Sequence, residues 1–180
     1  MFIFKGILVA IDWVNDKIGH VLSYLLFILF ILIMSEVIMR YIFNRPTIWQ
    51  GELAQYIFAA YAILCGGFIL RTGGHVNVDI IYSHFSEKTK AVCDLITSVL
   101  FFFFVGVLFL YGGSFALDSI SYMETSQSAW DPPLWPVKCL IPIGALLLLL
   151  QGVVKFVNDL CIVLGKEPPI KSETEEGEVI

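Results

Sequence analysis

The chain has 180 residues, 58% of them hydrophobic and only 15% charged, with a mean hydropathy of +0.83 and a net charge of -5. A soluble domain is about 45–50% apolar and about 25% charged, so this composition excludes a soluble domain, and its hydrophobicity excludes a disordered chain. The sequence pI of about 5.1 leaves no basic footprint for nucleic acid, and an integral membrane protein remains.

In chain order, the first predicted element is a short amphipathic helix. Ile3, Ile7, Ile11 and Val14 share one helical face, with Lys5, Asp12 and Asp16 roughly opposite. That pattern predicts a helix lying in the membrane interface, although Leu8 and Val9 depart from it. Neither a basic leader nor a small-residue cleavage site precedes Asp12, so the segment does not read as a signal peptide.

An apolar stretch of about 20 residues crosses a bilayer, and four such stretches are present. They are expected at 18–43, 48–70, 91–117 and 137–164, and make one membrane domain over residues 1–165. The runs are continuous in Leu, Ile and Phe rather than alternating, which predicts an all-α protein and not a barrel. Late in the first span, Glu36 and Arg40 are four apart and share a face. The second span opens with Trp49 and Glu52, and antiparallel packing would place Glu52 near the depth of Arg40 as an acid–base–acid corner. Charges at membrane depth call for a reason. Two readings of Glu36 stay open: an ion-coupling carboxylate, or one half of a neutralised pair that locks helices or a partner together. Its built-in counter-ion favours the second.

Ala62 and Gly66 form a small-residue face suited to close packing, and Gly106, Gly112 and Gly113 offer others in the third span. Arg71-Thr72-Gly73-Gly74 ends the second span. Val78, Ile81, Tyr82 and Phe85 then follow helical spacing, predicting a second interfacial helix between spans two and three. The loop 118–136 holds Trp130, Asp131, Pro132, Pro133, Trp135 and Pro136, a stiff segment with tryptophans at headgroup depth. In the fourth span Pro142 predicts a bend or a late start. Gln151 is expected to hydrogen-bond another helix, and Lys155 to pair with Asp159, with Asn158 beside them. After Pro168-Pro169, the acidic tail 166–180 carries five Glu against two Lys and is expected to be disordered.

With the amino terminus cytoplasmic, eight Lys and Arg fall inside and three outside, so both termini are expected in the cytoplasm. Cys65, Cys93, Cys139 and Cys161 lack metal-ligand spacing. His20 and His75 fall near the same side of the membrane, and as haem ligands they would make an electron-transfer subunit. Interfacial hydrogen bonding is the plainer reading. No nucleophile elbow, Walker loop or zinc motif is present, and no catalytic, substrate-binding or metal residue is expected. Nor is there an inverted repeat or a pair of broken spans, as a complete transporter has.

Several residues recur in a familiar order. They are Glu36-x-x-x-Arg40-Tyr41-x-Phe43-Asn44, Trp49-x-x-Glu52-Leu53 and Arg71-x-x-x-His75-Val76-x-Val78-Asp79. Trp130-Asp131-Pro132-Pro133-x-Trp135-Pro136, Ile141-Pro142-x-Gly144 and Gln151 follow. Over roughly residues 20–165 the chain resembles the small membrane subunit, the DctQ-like or Q subunit, of tripartite ATP-independent periplasmic (TRAP) transporters. The resemblance implies a non-enzymatic scaffold in a bacterial or archaeal inner membrane. Its partners would be a large membrane subunit on a separate chain and a periplasmic binding protein that delivers an organic anion, a carboxylate or sulfonate. Sodium and substrate sites would lie in the large subunit, with no cofactor here.

On that reading Glu36, Arg40, Trp49, Glu52, Arg71, His75, Asp79 and Gln151 are structural or partner-interface residues. Trp130, Asp131 and Trp135 face the docking side of the binding protein. The remaining alternative is a self-sufficient homodimeric transporter built around Glu36.

Overall fold

A computed structural model describes residues 2–73, 85–166 and 168–170. Four helices run through them: α1 (Phe2–Tyr41), α2 (Gln50–Arg71), α3 (Glu87–Ser121) and α4 (Trp135–Val163). Each is long and apolar enough to cross a membrane. The second interfacial helix expected around Val78, Ile81 and Tyr82, and the tail beyond Ile170, lie outside the described residues.

The segment expected as a separate interfacial helix is continuous with the first span. α1 runs unbroken for 40 residues. Asn15, Asp16 and Lys17 contain no helix breaker, so nothing local interrupts the turn. The apolar face formed by Ile7 and Val14 is not the one packed against other helices. Ile7 and Val14 are exposed, whereas Leu8, Asn15, Leu22 and Leu29, at every seventh residue, are buried. A seven-residue recurrence is the seam of helices packed lengthwise. Lipid is as apolar as a leucine core, so burial of polar groups, not of apolar ones, selects the inward face.

At 1.5 Å per residue, α1 is about 60 Å long and α2 about 33 Å, against a hydrocarbon thickness of about 30 Å. α2 fits the bilayer nearly upright, while α1 must tilt or project beyond it.

α4 sits at the centre of the packing. α2 and α3 both lean on it, and α1 packs on α2 and touches α4. The helices therefore form an open row, α1–α2–α4–α3, rather than a closed bundle. Large apolar side chains stay on its faces, among them Phe27, Leu100 and Phe103.

Two glycines mark close approaches around α4. A Cβ on Gly144 would fall 2.6 Å from the Ile63 carbonyl, and one on Gly112 would fall 2.7 Å from Ile141 Cγ2. The expected small-residue faces are only partly used in this way. Gly66 has ordinary contacts, and Gly106 and Gly113 face open space. α4 starts at Trp135 with Pro136 in its first turn and carries Pro142 inside it, so Pro142 does not mark a late start.

Candidate functional site

The end of the row where α1 begins and α2 finishes is here termed the terminal end. The opposite end, which carries the α1–α2 turn and residues 122–134, is the loop end. Polar side chains gather at both.

At the terminal end, Arg71 closes α2 and reaches across to α1. Its Nε donates to Asp12 Oδ2 at 2.9 Å, and Nη1 donates to Asp16 Oδ1 at 2.8 Å. All three side chains are at most 23% exposed. A planar guanidinium serves two carboxylates at once, which a lysine ammonium does with less directional control. The network continues into α4. Gln151 Nε2 donates to the second oxygen of Asp12 at 3.1 Å, and Asn15 Nδ2 donates to Gln151 Oε1 at 3.0 Å. Asn15 also rests against Gly67, where a Cβ would come 2.1 Å from its Oδ1. One arginine, two aspartates and two amides thus tie three helices together. Gln151 meets its expected role here, bonding to α1.

Asp16 also accepts from His20 in part: His20 Nδ1 lies 2.9 Å from the Asp16 carbonyl and 3.6 Å from its carboxylate. By sequence Asp12 and Asp16 lie roughly opposite the apolar face of the expected interfacial helix, and Asn15 belongs to no expected site. A signal was present, since Asn15 stands on the seven-residue seam with Leu8, Leu22 and Leu29. His75 and Asp79, expected as structural or partner-interface residues, lie outside the described residues.

A second group at the terminal end joins α3 to α4. Lys155 pairs closely with Asp94, and Asp159 is the more distant partner at 3.7 Å. The expected Lys155–Asp159 pair is therefore the looser of two, because Asp94 on the neighbouring helix reaches the ammonium first. Asn158 Nδ2 donates to the Ile170 carbonyl at 3.1 Å.

At the loop end the expected acid–base–acid corner is divided. Arg40 donates to Glu36 Oε1 at 2.9 Å, and Thr47 Oγ1 donates to Glu36 Oε2 at 2.6 Å. Gln50 Nε2 donates to Ser35 at 2.9 Å beside them. Glu52 belongs to a different group. Its Oε2 accepts from Ser128 Oγ at 2.6 Å, and Tyr56 lies 3.5 Å from its other oxygen. Among the described residues no ion pair joins Glu52 to Arg40. Thr47, just before α2, takes the place that Glu52 was expected to hold.

Ser128 then organises the loop. Its oxygen accepts from the backbone N–H groups of Trp130 and Asp131 at 3.2 and 3.0 Å. Asp131 Oδ1 accepts from the Gln127 N–H at 2.9 Å, and Thr125 and Pro133 form an antiparallel bridge. Gln127 and Asp131 adopt positive φ of 55° and 51°, a conformation such closures over-determine. Trp130 packs on Trp49 with ring centroids 6.4 Å apart, seating the loop on the start of α2. Lys138 pairs with Glu124, and its Nζ stands 4.1 Å over the Phe115 ring. The ammonium holds the Glu124 carboxyl below its usual range. The loop is thus rigid through its own hydrogen bonds as well as its prolines.

The arrangement consists of clamps between helices. Glu36, the one carboxylate weighed for ion coupling, is occupied by Arg40 and Thr47. The four cysteines are free thiols.

Comparison with known proteins finds two likenesses. Residues 29–162 match the family model described as tripartite ATP-independent periplasmic transporters, DctQ component. The chain is also 28% identical over 112 residues to the sialic acid TRAP transporter permease protein SiaT of Haemophilus influenzae (strain 86-028NP). That alignment covers 58% of this chain and 18% of the relative, so the chain spans only a small part of that protein.

Proposed function

Since this chain belongs to the DctQ component family of tripartite ATP-independent periplasmic transporters, we propose that it is the small fixed membrane subunit of such a transporter. In this role it supports a separate large membrane subunit, which carries out sodium-coupled uptake of an organic anion, a carboxylate or sulfonate. A periplasmic binding protein delivers that anion. The chain sits in the inner membrane with both termini cytoplasmic, the side richer in Lys and Arg.

The observation that carries the reading is where the polar groups of the spanning helices go. Arg71, Asp12, Asp16, Asn15 and Gln151 engage one another across three helices, and Glu36 engages Arg40 and Thr47. Charged and amide groups in a transport path face water and substrate. Here they resist relative motion of the helices, as a fixed support requires. The open row leaves broad apolar faces for a large partner. The rigid loop bearing Trp130, Asp131 and Trp135 faces the side where the binding protein docks.

A self-sufficient transporter needs Glu36 accessible to substrate, and Glu36 is clamped. A haem subunit needs His75 opposite His20, and the family favours transport over electron transfer.

The test is reconstitution in liposomes. Uptake is expected only when this chain, the large subunit and the binding protein are all present, and should follow the sodium gradient. Uptake by this chain alone would overturn the proposal.

A further inference from the structure

α2 and α3 both lean on α4, and between them at the terminal end a cleft of about 220 Å³ remains. Its inner wall is aromatic. Phe101 packs against α4 at Gly152, where a Cβ would fall 2.3 Å from its ring. Its rim is polar, formed by Asp94, Thr97 and Ser98 on α3 and by Lys155 and Asp159 on α4. The cavity is smaller than the roughly 300–1,000 Å³ of a site for a drug-sized molecule, so it admits a group of headgroup size.

The rim chemistry selects the occupant. Lys155 is committed closely to Asp94, and Asp159, only 14% exposed, holds the outer position 3.7 Å from the same ammonium. A largely buried carboxylate at that distance gains from a second, closer cationic donor. Thr97 Oγ1 donates to the Cys93 carbonyl at 3.1 Å and Ser98 Oγ to the Leu95 carbonyl at 2.7 Å. Their protons point back into their own helix, so towards the cleft they act as acceptors. Asp159, Thr97 and Ser98 together present acceptors to a small cation with several N–H donors. Lys155 stands beside them as a donor for an anion. The occupant therefore carries a primary ammonium and an anionic group a short distance apart, next to an apolar chain.

We propose that this cleft binds a phospholipid with an ethanolamine headgroup. The ammonium donates to Asp159, the phosphate lies beside Lys155, and an acyl chain follows Phe101. A choline headgroup has no N–H to donate, and a glycerol headgroup brings a net negative charge to Asp159 without a cation. The lipid fills the cleft that the row leaves between α2 and α3 beside α4, and so stiffens that end of the row.

The test uses the full chain purified in detergent, titrated with ethanolamine, choline and glycerol phospholipids of identical acyl chains and read by native mass spectrometry. The ethanolamine lipid is expected to be retained roughly tenfold more tightly than the choline lipid, the worth of one charge-assisted hydrogen bond. Asp159→Asn should bring the two within about twofold of each other. A Thr97→Val/Ser98→Ala variant keeps the Lys155–Asp94 pair and should lose part of the preference, so the proposal stays testable if Asp159→Asn does not fold. Equal retention of the ethanolamine and choline lipids, tighter retention of the glycerol lipid, or an undiminished preference in both variants would each overturn it. The readout is lipid binding by this chain alone, so its outcome is independent of whether the chain supports a transporter.

Discussion

Arg71 Nε donates to Asp12 Oδ2 at 2.9 Å across 59 residues of chain, joining the last residue of α2 to the first third of α1. At the opposite end Thr47, just before α2, donates to Glu36 on α1 at 2.6 Å. Asp12 and Glu36 are separated by about 36 Å along α1, close to the length of about 33 Å of α2. The antiparallel pair is therefore pinned at both ends, and its register cannot slide without breaking a charged contact.

Arg71→Met leaves Asp12 and Asp16 facing each other without their cation. The expected loss is about 3 kcal/mol, the low end for breaking a buried pair, because both carboxylates keep some exposure. Thermal unfolding in detergent reads it, and adding Asp12→Asn and Asp16→Asn should recover much of the loss. An unchanged melting temperature in Arg71→Met would remove this clamp from the stability of the fold.

Gly67→Ala pushes a methyl group to within 2.1 Å of Asn15 Oδ1 and should cost about 1–3 kcal/mol. Asn15→Ala in the same chain should relieve the clash. A double-mutant cycle measures the coupling, and simple additivity of the two changes would show that α1 and α2 do not meet here.

Arg40→Ala opens the Glu36 corner at the loop end while leaving Thr47 in place. On the proposed function it lowers the yield of complex with the large subunit and leaves sodium dependence unchanged. Co-purification and uptake assays separate the two effects. A normal yield with altered sodium dependence would return Glu36 to the role of a coupling carboxylate.

Ser128→Ala removes the link to Glu52 and the acceptor for the Trp130 and Asp131 amides. Hydrogen exchange at those two amides should quicken by roughly tenfold, reflecting about 1–1.5 kcal/mol of local stability. Replacing Trp130 and Trp135 together should weaken affinity for the binding protein. Unchanged affinity and unchanged transport in that double variant would exclude a docking role for the loop.

The Glu124–Lys138 contact makes the loop end sensitive to acid. Lys138 lowers the Glu124 pKa, so the pair contributes fully above the ordinary carboxylate pKa. Its contribution falls as pH drops through the lowered value. Tryptophan fluorescence from Trp130 and Trp135 should therefore change only on the acid side, and Lys138→Met should abolish that change. A transition at neutral pH, or one that survives Lys138→Met, contradicts this assignment.

Much of this protein follows from its sequence alone. Four uninterrupted apolar runs specify four helices, because backbone N–H and C=O groups in lipid must be satisfied within the segment itself. Gln151, an amide deep in an apolar run, needs a partner on another helix, and finds Asn15 and Asp12. The ordered motifs from Glu36 to Gln151 point to the family.

Tertiary structure decided which way α1 faces and who pairs with whom. Ile7 and Val14, on the apolar face that an interfacial helix turns to lipid, are exposed, and Asp12 and Asp16 on the other side meet Arg71. Hydropathy patterns report a choice between water and an apolar core. Inside a membrane both sides of a helix are apolar, so the inward face is the one whose polar groups find partners. Arg71 lies 55 and 59 residues from its two aspartates, and Ser128 lies 76 from Glu52. No local spacing encodes such distances, and only the order α1–α2–α4–α3 brings them together.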